Sequence, residues 1–281
     1  MSYTPALPLS GIAGWQFLQR TEASQRAAFA EGTQEKRELA YFRDNIAKAD
    51  TVEKLLEDHT LLKVTLTAFG LEDEQYKKAW IRKVLEEGTE SEEAFANRLS
   101  DPRWREFSKA LGFGNLTGAR TGFDSFREDI AARYLAHGFE VAVGEIDEAM
   151  RLALNFRDHI GERVDPAQTD LTNWYRILGD KPLREVLDTA LGLPKEFAQL
   201  DVAKQAATYA EKLQSRFKIA SPAELLDPAK TEEIIRDFLV RTEIENGPSP
   251  TAPGMAALQL LQSGPLGLSS AGIASLILSN G

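Results

Sequence analysis

The sequence DHTLLKVTLTAFGLED, residues 58–73, contains the start, the buried face and the end of a single helix. The carboxylate of Asp58 can accept hydrogen bonds from the backbone N–H groups of a first turn, and apolar residues follow at Leu61 and Val64. Gly70 can take the positive φ with which many helices end, and the apolar Leu71 can then fold back onto the last turn. The stretch therefore predicts a short core helix with both of its ends specified.

Two later stretches, DPRWREFSKALGF at 101–113 and DKPLREVLDTALGL at 180–193, repeat this arrangement. Each has an N-cap aspartate, bulky apolar residues three and six positions later, and a glycine followed by an apolar residue. The matching residues are Asp101, Trp104, Phe107 and Gly112 in one stretch and Asp180, Leu183, Val186 and Gly192 in the other. The three stretches, called the repeated helices below, predict three core helices of one type.

A second motif precedes two of the repeated helices. FRDNI occupies residues 42–46 and FRDHI occupies 156–160. Their distances to the next repeated helix differ by eight residues, which we interpret as a loop insertion, PAQTDLTN. The two motifs favour two related helical modules, joined by a glycine-rich loop and a helix from about Ser125. Chance periodicity of helical sequence is the alternative.

Apolar residues recur with helical spacing through most of the remaining sequence. One stripe consists of Tyr76, Trp80 and Val84, and another of Val202, Ala206, Tyr209 and Leu213. The alternation of apolar and polar residues that is typical of strands is scarce. We therefore expect an all-α fold, a multihelical array, whose core includes Trp80, Trp104 and Trp174.

Every charged residue lies between Arg20 and Glu245, so the chain has a charged body and two uncharged ends. In the first of these ends, Trp15 could anchor the segment either to the body or to a partner. The other end is a linker rich in Gly, Pro and Ser with two apolar pieces that are too short to fold alone. We divide the chain into residues 1–35 (uncharged segment and first helix), 36–115 (first module), 116–144 (loop and connecting helix), 145–245 (second module) and 246–281 (linker and apolar tail).

The composition argues against several classes of function. A net charge of −10 and a pI near 5.0 disfavour the binding of nucleic acid or anionic lipid as the main role. Without cysteine, the chain has no thiol nucleophile, disulfide or thiolate metal ligand. No apolar run approaches the roughly 20 residues of a membrane helix, and the first residues lack the pattern of a secretory signal. We expect a cytoplasmic protein that does not insert into membranes.

Three features suggest a functional site, and each has a simpler structural interpretation. The segment GFGNLTG, 112–118, is rich in glycine but follows a helix rather than a strand, so an interhelical loop is favoured over phosphate binding. The acidic segment EEGTESEE, 86–93, lacks the ligand order of an EF-hand and is typical of a solvated surface. No histidine has a partner at the spacing of a zinc helix, so surface or capping roles are expected for His59, His137 and His159. We predict no catalytic, cofactor-binding or metal-binding residue.

Four stretches in order, residues 41–74, 83–114, 174–194 and 225–241, are similar to one known family. They resemble an uncharacterised alphaproteobacterial family, domain of unknown function 1217, whose genes tend to lie among flagellar genes. The resemblance covers about residues 10–245 and leaves out the tail. It implies an all-helical fold outside the membrane, a role in flagellar assembly or function, and possible export to the flagellum. It transfers no catalytic residue.

These observations lead to ranked hypotheses. The first is a non-enzymatic helical protein of the bacterial flagellar system, which acts through protein–protein interaction with unidentified flagellar partners and whose uncharged ends fold on a partner. The second is a helical small-ligand-binding protein or enzyme with a pocket between the two modules. A helical regulator of nucleic acid is the least favoured, because the chain is acidic. A buried polar cleft with perturbed pKa values would favour the second hypothesis, and a compact body with flexible or swapped ends would favour the first.

Overall fold

The computed structural model describes residues 3–246, and all regular secondary structure in this range is helical. The α-helices are α1 (Gly11–Ala30), α2 (Thr33–Asn45), α3 (Val52–Glu57), α4 (His59–Thr67), α5 (Lys78–Glu87), α6 (Phe95–Arg98), α7 (Pro102–Leu111), α8 (Asp124–Gly144), α9 (Glu148–Arg163), α10 (Asp170–Leu178), α11 (Lys181–Leu191), α12 (Val202–Phe217) and α13 (Pro228–Asn246). Four short 3-10 helices occur at Ile46–Lys48, Glu72–Glu74, Lys195–Gln199 and Pro222–Leu226. The predicted all-α multihelical array is confirmed.

The repeated helices are α4, α7 and α11, and each begins as its sequence predicts. Asp58 accepts hydrogen bonds from two first-turn N–H groups at 3.0 Å, while Asp101 and Asp180 accept one each, at 3.0 and 3.3 Å. These bonds satisfy backbone donors that have no partner inside the helix. The apolar residues three and six positions later are all buried: Leu61, Val64, Trp104, Phe107, Leu183 and Val186.

The ends of the repeated helices also follow the prediction. Gly70, Gly112 and Gly192 have positive φ values of 65°, 74° and 63°. After α4 and α11, the N–H of the residue following the glycine bonds a carbonyl five residues earlier, at 3.0 and 2.8 Å, which is the Schellman arrangement. Helix α7 ends in the simpler way, with one bond of 2.9 Å from the glycine N–H to a carbonyl four residues earlier.

The buried apolar residues form two cores. The first core contains the buried residues from Leu39 to Tyr134, which lie on α2 to α7 and the first half of α8. The second core contains those from Trp15 to Phe29 and from Phe139 to Leu239, which lie on α1, the second half of α8 and the later helices. The half-buried Leu135 of α8 packs against both cores.

Helix α8 therefore contributes to both cores, although the sequence predicts only a helix that connects the two modules. Phe126 and Ile130 lie in the first core, whereas Phe139 and Val143 lie in the second. Its 21 residues give a length of about 30 Å, enough to cross both cores.

The N-terminal segment packs on the second core. The Trp15 side chain is fully buried there, and its indole Nε1 donates to both carboxylate oxygens of Glu232, at 3.2 and 3.1 Å. The side-chain amide of Gln25 bonds the N–H and the carbonyl of Ala6, at 2.7 and 3.1 Å, and so fastens the chain that precedes α1. Trp15 therefore anchors the N-terminal segment to the body of the protein rather than to a partner.

Two predicted apolar stripes need correction. Tyr76 is 74% exposed and Trp80 is 40% exposed, so only Val84 of that stripe is in the core. Tyr76 precedes α5 rather than belonging to it, and the Trp80 ring packs at the surface against Phe95, with ring centres 4.6 Å apart. In the second stripe Val202 is 50% exposed because it is the first residue of α12. The other members of that stripe are buried, as are Trp104 and Trp174.

The origin of the two modules by duplication stays a prediction. The motifs FRDNI and FRDHI fall on α2 and its 3-10 extension and on α9, and their Phe and Ile residues are buried in the first and second core respectively. The predicted linker and apolar tail lie outside the described residues from residue 247 onward. Among residues 3–246, none of the helices has both the length and the apolar composition of a membrane span.

Candidate functional site

A cleft of about 780 Å³ lies where the first and second cores meet. The end of α4 and the first turns of α7 and α11 line it, together with residues of α8 and α9. All three repeated helices thus reach the same cavity, each with one of its ends. The apolar part of the lining consists mainly of Ala68, Phe69, Ala132, Ala136 and Leu178.

An arginine crosses the cleft between the cores. Arg163, at the end of α9, is buried, and its Nε donates to the Asp180 carboxylate at 2.8 Å. Its Nη1 donates to the carboxylate of Glu106 on α7, from the side of the first core. Asp180 is also the N-cap of α11, so one carboxylate fixes both a helix start and the arginine. A buried guanidinium needs such partners, because an unpaired charge in this position is strongly unfavourable.

A histidine between two carboxylates also lines the cleft. His159 on α9 has Nε2 3.3 Å from Glu140 and Nδ1 3.3 Å from Glu162. Burial lowers the pKa of His159, but the two carboxylates outweigh burial and raise that pKa to about 10. Burial raises the pKa of the fully buried Glu140, yet His159 and Asn155 reverse the effect and hold it below its usual range. His159 is therefore a cation at neutral pH and not a free base.

The remaining wall of the cleft is also made of ion pairs. Arg133 on α8 contacts Asp129 at 3.2 Å and Glu162 at 3.6 Å, and its guanidinium lies over the Phe69 ring, 5.5 Å from the ring centre. His137, one turn later, contacts Glu72 at 2.9 Å. Each carboxylate that lines the cleft has a cation within 4 Å; these are Asp101, Glu106, Asp129, Asp158, Glu162 and Asp180. The cleft carries charges of both signs on a mainly apolar surface, and its acids are already paired with cations.

The surface or capping role that the sequence predicts for the histidines applies to one of the three. His59 is exposed at the first turn of α4. His137 and His159 are instead part of the cleft, so the expectation of a surface or capping role was wrong for them. The Glu162 partner of His159, three residues later on the same helix, was visible in the sequence, whereas Glu140 comes from α8 and was not. In residues 3–246 no cluster of side chains has the composition of a metal site.

The other two segments have the structural roles that were favoured for them. GFGNLTG connects α7 to α8, and Asn115 within it accepts a hydrogen bond of 2.8 Å from the Thr89 N–H. In EEGTESEE the glutamates are exposed, and Glu87 and Glu90 accept hydrogen bonds from nearby backbone N–H groups. Neither segment lines the cleft.

Comparison with known proteins places the chain in a family. The family model for a protein of unknown function, DUF1217, matches residues 68–230, more than half of the chain. The chain belongs to this family. Every residue that lines the cleft lies within the range matched by the DUF1217 model.

A solved structure is similar to this DUF1217 chain over most of its length. The X-ray structure of protein AGR_C_984 from Agrobacterium tumefaciens, a structural genomics target, has a TM-score of 0.70 and 28% sequence identity. The similarity covers 87% of this chain and 100% of the other. A search of curated proteins found no match.

Proposed function

We propose that the protein is a non-enzymatic binding protein of the bacterial flagellar system, and that the cleft between its two cores is the binding site. The cleft supports the binding role, since its volume of about 780 Å³ lies within the range of roughly 300–1,000 Å³ that is usual for binding pockets. It combines an apolar lining with fixed charges of both signs, which can orient a bound group.

The flagellar part of the proposal rests on the resemblance to a family whose genes tend to lie among flagellar genes. The partner is then a flagellar protein, met in the cytoplasm or after export, and the interaction serves flagellar assembly or function. The N-terminal segment is used in packing, with Trp15 and Leu18 buried in the second core. The N-terminal apolar residues are therefore not available for contact with a partner.

The second candidate is a small-ligand-binding protein or an enzyme that uses the same cleft. The observation in its favour is His159, because a half-buried imidazolium between two carboxylates is the kind of perturbed group that functional sites contain. At neutral pH this group can donate a proton or stabilise a negative charge, but it cannot act as a general base.

Deletion of the gene tests the flagellar role. We expect impaired swimming or flagellar assembly, and full motility of a deletion strain that has no second copy would contradict the proposal. A variant that fills the cleft, Ala132→Trp, is expected to reproduce the defect. Ala207→Trp, on the exposed face of α12, is the matched control and should swim normally.

One further variant separates the two candidates. His159→Gln removes the imidazolium cation of this residue and keeps the volume of the cleft close to that in the native protein. If the folded variant supports motility, the cleft serves as a contact surface, as in the first candidate. A motility defect in a folded His159→Gln protein would favour the second candidate.

A further inference from the structure

A small side pocket of about 260 Å³ adjoins the cleft, and Arg163 lines both cavities. It lies between α7 and α10 and shares five lining residues with the cleft: Ser100, Pro102, Glu106, Arg163 and Gly179. The residues that it does not share are Arg105, Tyr175 and Arg176. A ligand that occupied both cavities would pass the Arg163 side chain.

The charge of the side pocket is opposite to that of the protein. Three arginines line it, and Glu106 is the one carboxylate that lines it among the described residues. The chain as a whole carries a net charge of −10. An anion that is repelled by most of the surface therefore meets a locally positive site here.

Two of these arginines have no carboxylate partner in residues 3–246. Arg105 makes no ion pair and is exposed on α7. Arg176 makes one hydrogen bond, of 2.9 Å, to the Glu162 carbonyl, which leaves most of its five N–H donors available. The side pocket therefore has two guanidinium groups with donors available to a ligand.

The remaining polar groups of the pocket also suit an anion. The hydroxyl groups of Ser100 and Tyr175 line it and can donate hydrogen bonds. The planar guanidinium presents two parallel donors, which matches the geometry of a carboxylate or a phosphate. Arg163 is already paired with Glu106 and Asp180, so the positive charge available to an anion comes from Arg105 and Arg176.

We propose that the side pocket binds the phosphate or carboxylate group of an organic anion whose apolar part enters the cleft. Arg105 and Arg176 bind the charged group, with the Ser100 and Tyr175 hydroxyls as further donors. Ala132, Ala136 and Phe69 in the cleft offer the apolar surface. The inference rests on the cleft as a binding site in the form of the second candidate, a small-ligand-binding protein, and specifies the chemistry of that ligand.

The test uses three probes with the same aromatic ring: phenyl phosphate, phenylacetate and the uncharged benzyl alcohol. They are titrated into the full-length, isotope-labelled protein at low salt, and binding is followed by the amide NMR signals of Ser100, Arg105, Tyr175 and Gly179. We expect millimolar dissociation constants for at least one anion, as is usual for fragments of this size, and at least tenfold weaker binding of benzyl alcohol. Added NaCl should weaken the binding of the anion. The tighter of the two anions distinguishes phosphate from carboxylate.

The double variant Arg105→Gln, Arg176→Gln should weaken anion binding about tenfold. Its matched control, Arg20→Gln, Arg37→Gln, changes the net charge equally at two exposed arginines outside the pocket and should bind like the native protein. Equal binding of benzyl alcohol, signal changes that map elsewhere, or unchanged binding by the Arg105 and Arg176 variant would overturn the inference. Binding is measured on the purified protein, so it can fail while the motility defect of the deletion strain persists, or hold while that defect is absent.

Discussion

Substitution of Trp15 tests whether α1 is an integral part of the second core. A Trp side chain buries about 200 Å² of surface, which at about 25 cal/mol per Å² contributes roughly 5 kcal/mol. Trp15 also donates to the Glu232 carboxylate, and the Arg157 guanidinium lies 5.5 Å from its ring centre, an interaction of about 0.5–1 kcal/mol. Partial relaxation of the surroundings offsets some of this loss. We expect Trp15→Ala to lower the free energy of unfolding by about 3–5 kcal/mol.

Chemical denaturation followed by circular dichroism measures this change. Trp15→Phe keeps an aromatic ring but loses the N–H donor, so a smaller loss of about 1–2 kcal/mol is expected. Trp80→Ala removes the same atoms from a site that is 40% exposed, and serves as the matched control, with a loss of about 2 kcal/mol. If Trp15→Ala were no more destabilising than Trp80→Ala, the segment before residue 31 would be a loosely attached appendage and the assignment to the core would fail.

Three further predictions concern charge and the tail. The folded pKa of His159, about 10, lies above the ordinary 6.5, so its stabilising contribution is complete below pH 6.5 and disappears as the pH rises towards 10. Denaturation at a series of pH values should show that the unfolding free energy of the native protein falls more steeply over that interval than that of His159→Gln. The control His59→Gln should show the same pH dependence as the native protein. The same pH dependence in all three proteins would contradict the role of the two carboxylates. Arg163→Met leaves Glu106 and Asp180 unpaired and should lower the unfolding free energy by about 3–5 kcal/mol. The triple variant Glu106→Gln, Arg163→Met, Asp180→Asn should lower the unfolding free energy by less, because it leaves no unpaired charge. A greater loss in the triple variant would show that the charges themselves stabilise the fold. Truncation after Glu245 should leave the melting temperature within about 2–4 °C of the native value, and a larger fall would show that the tail belongs to the core or to a subunit contact.

The features that could be predicted from the sequence are those whose causes are local. Asp58, Asp101 and Asp180 bond N–H groups two or three residues away, and Gly70 ends α4 through its own φ. Such relations are fixed by spacing along the chain, so three helices and their ends were identified with little ambiguity.

The exposure of Trp80 was not predictable, because the spacing of a stripe indicates which residues share a helix face but not whether another helix covers that face. The cleft was anticipated only as a pocket between modules. Its main ion pair joins Glu106 to Arg163, 57 residues apart, and its histidine is held by Glu140 from another helix. In a chain with 43 acidic residues, no spacing distinguishes these two partners from the others.

The passage of α8 through both cores has a consequence for folding. A cut in the middle of α8 would leave each core its own half of this helix, but it would separate α1 from the second core, so each fragment would have an uncovered apolar face. The half-buried Leu135, which touches both sides, has no independent position in either fragment. We therefore expect the two halves of the chain to unfold in one cooperative transition, and a protein expressed as separate halves to regain structure only when the halves are mixed.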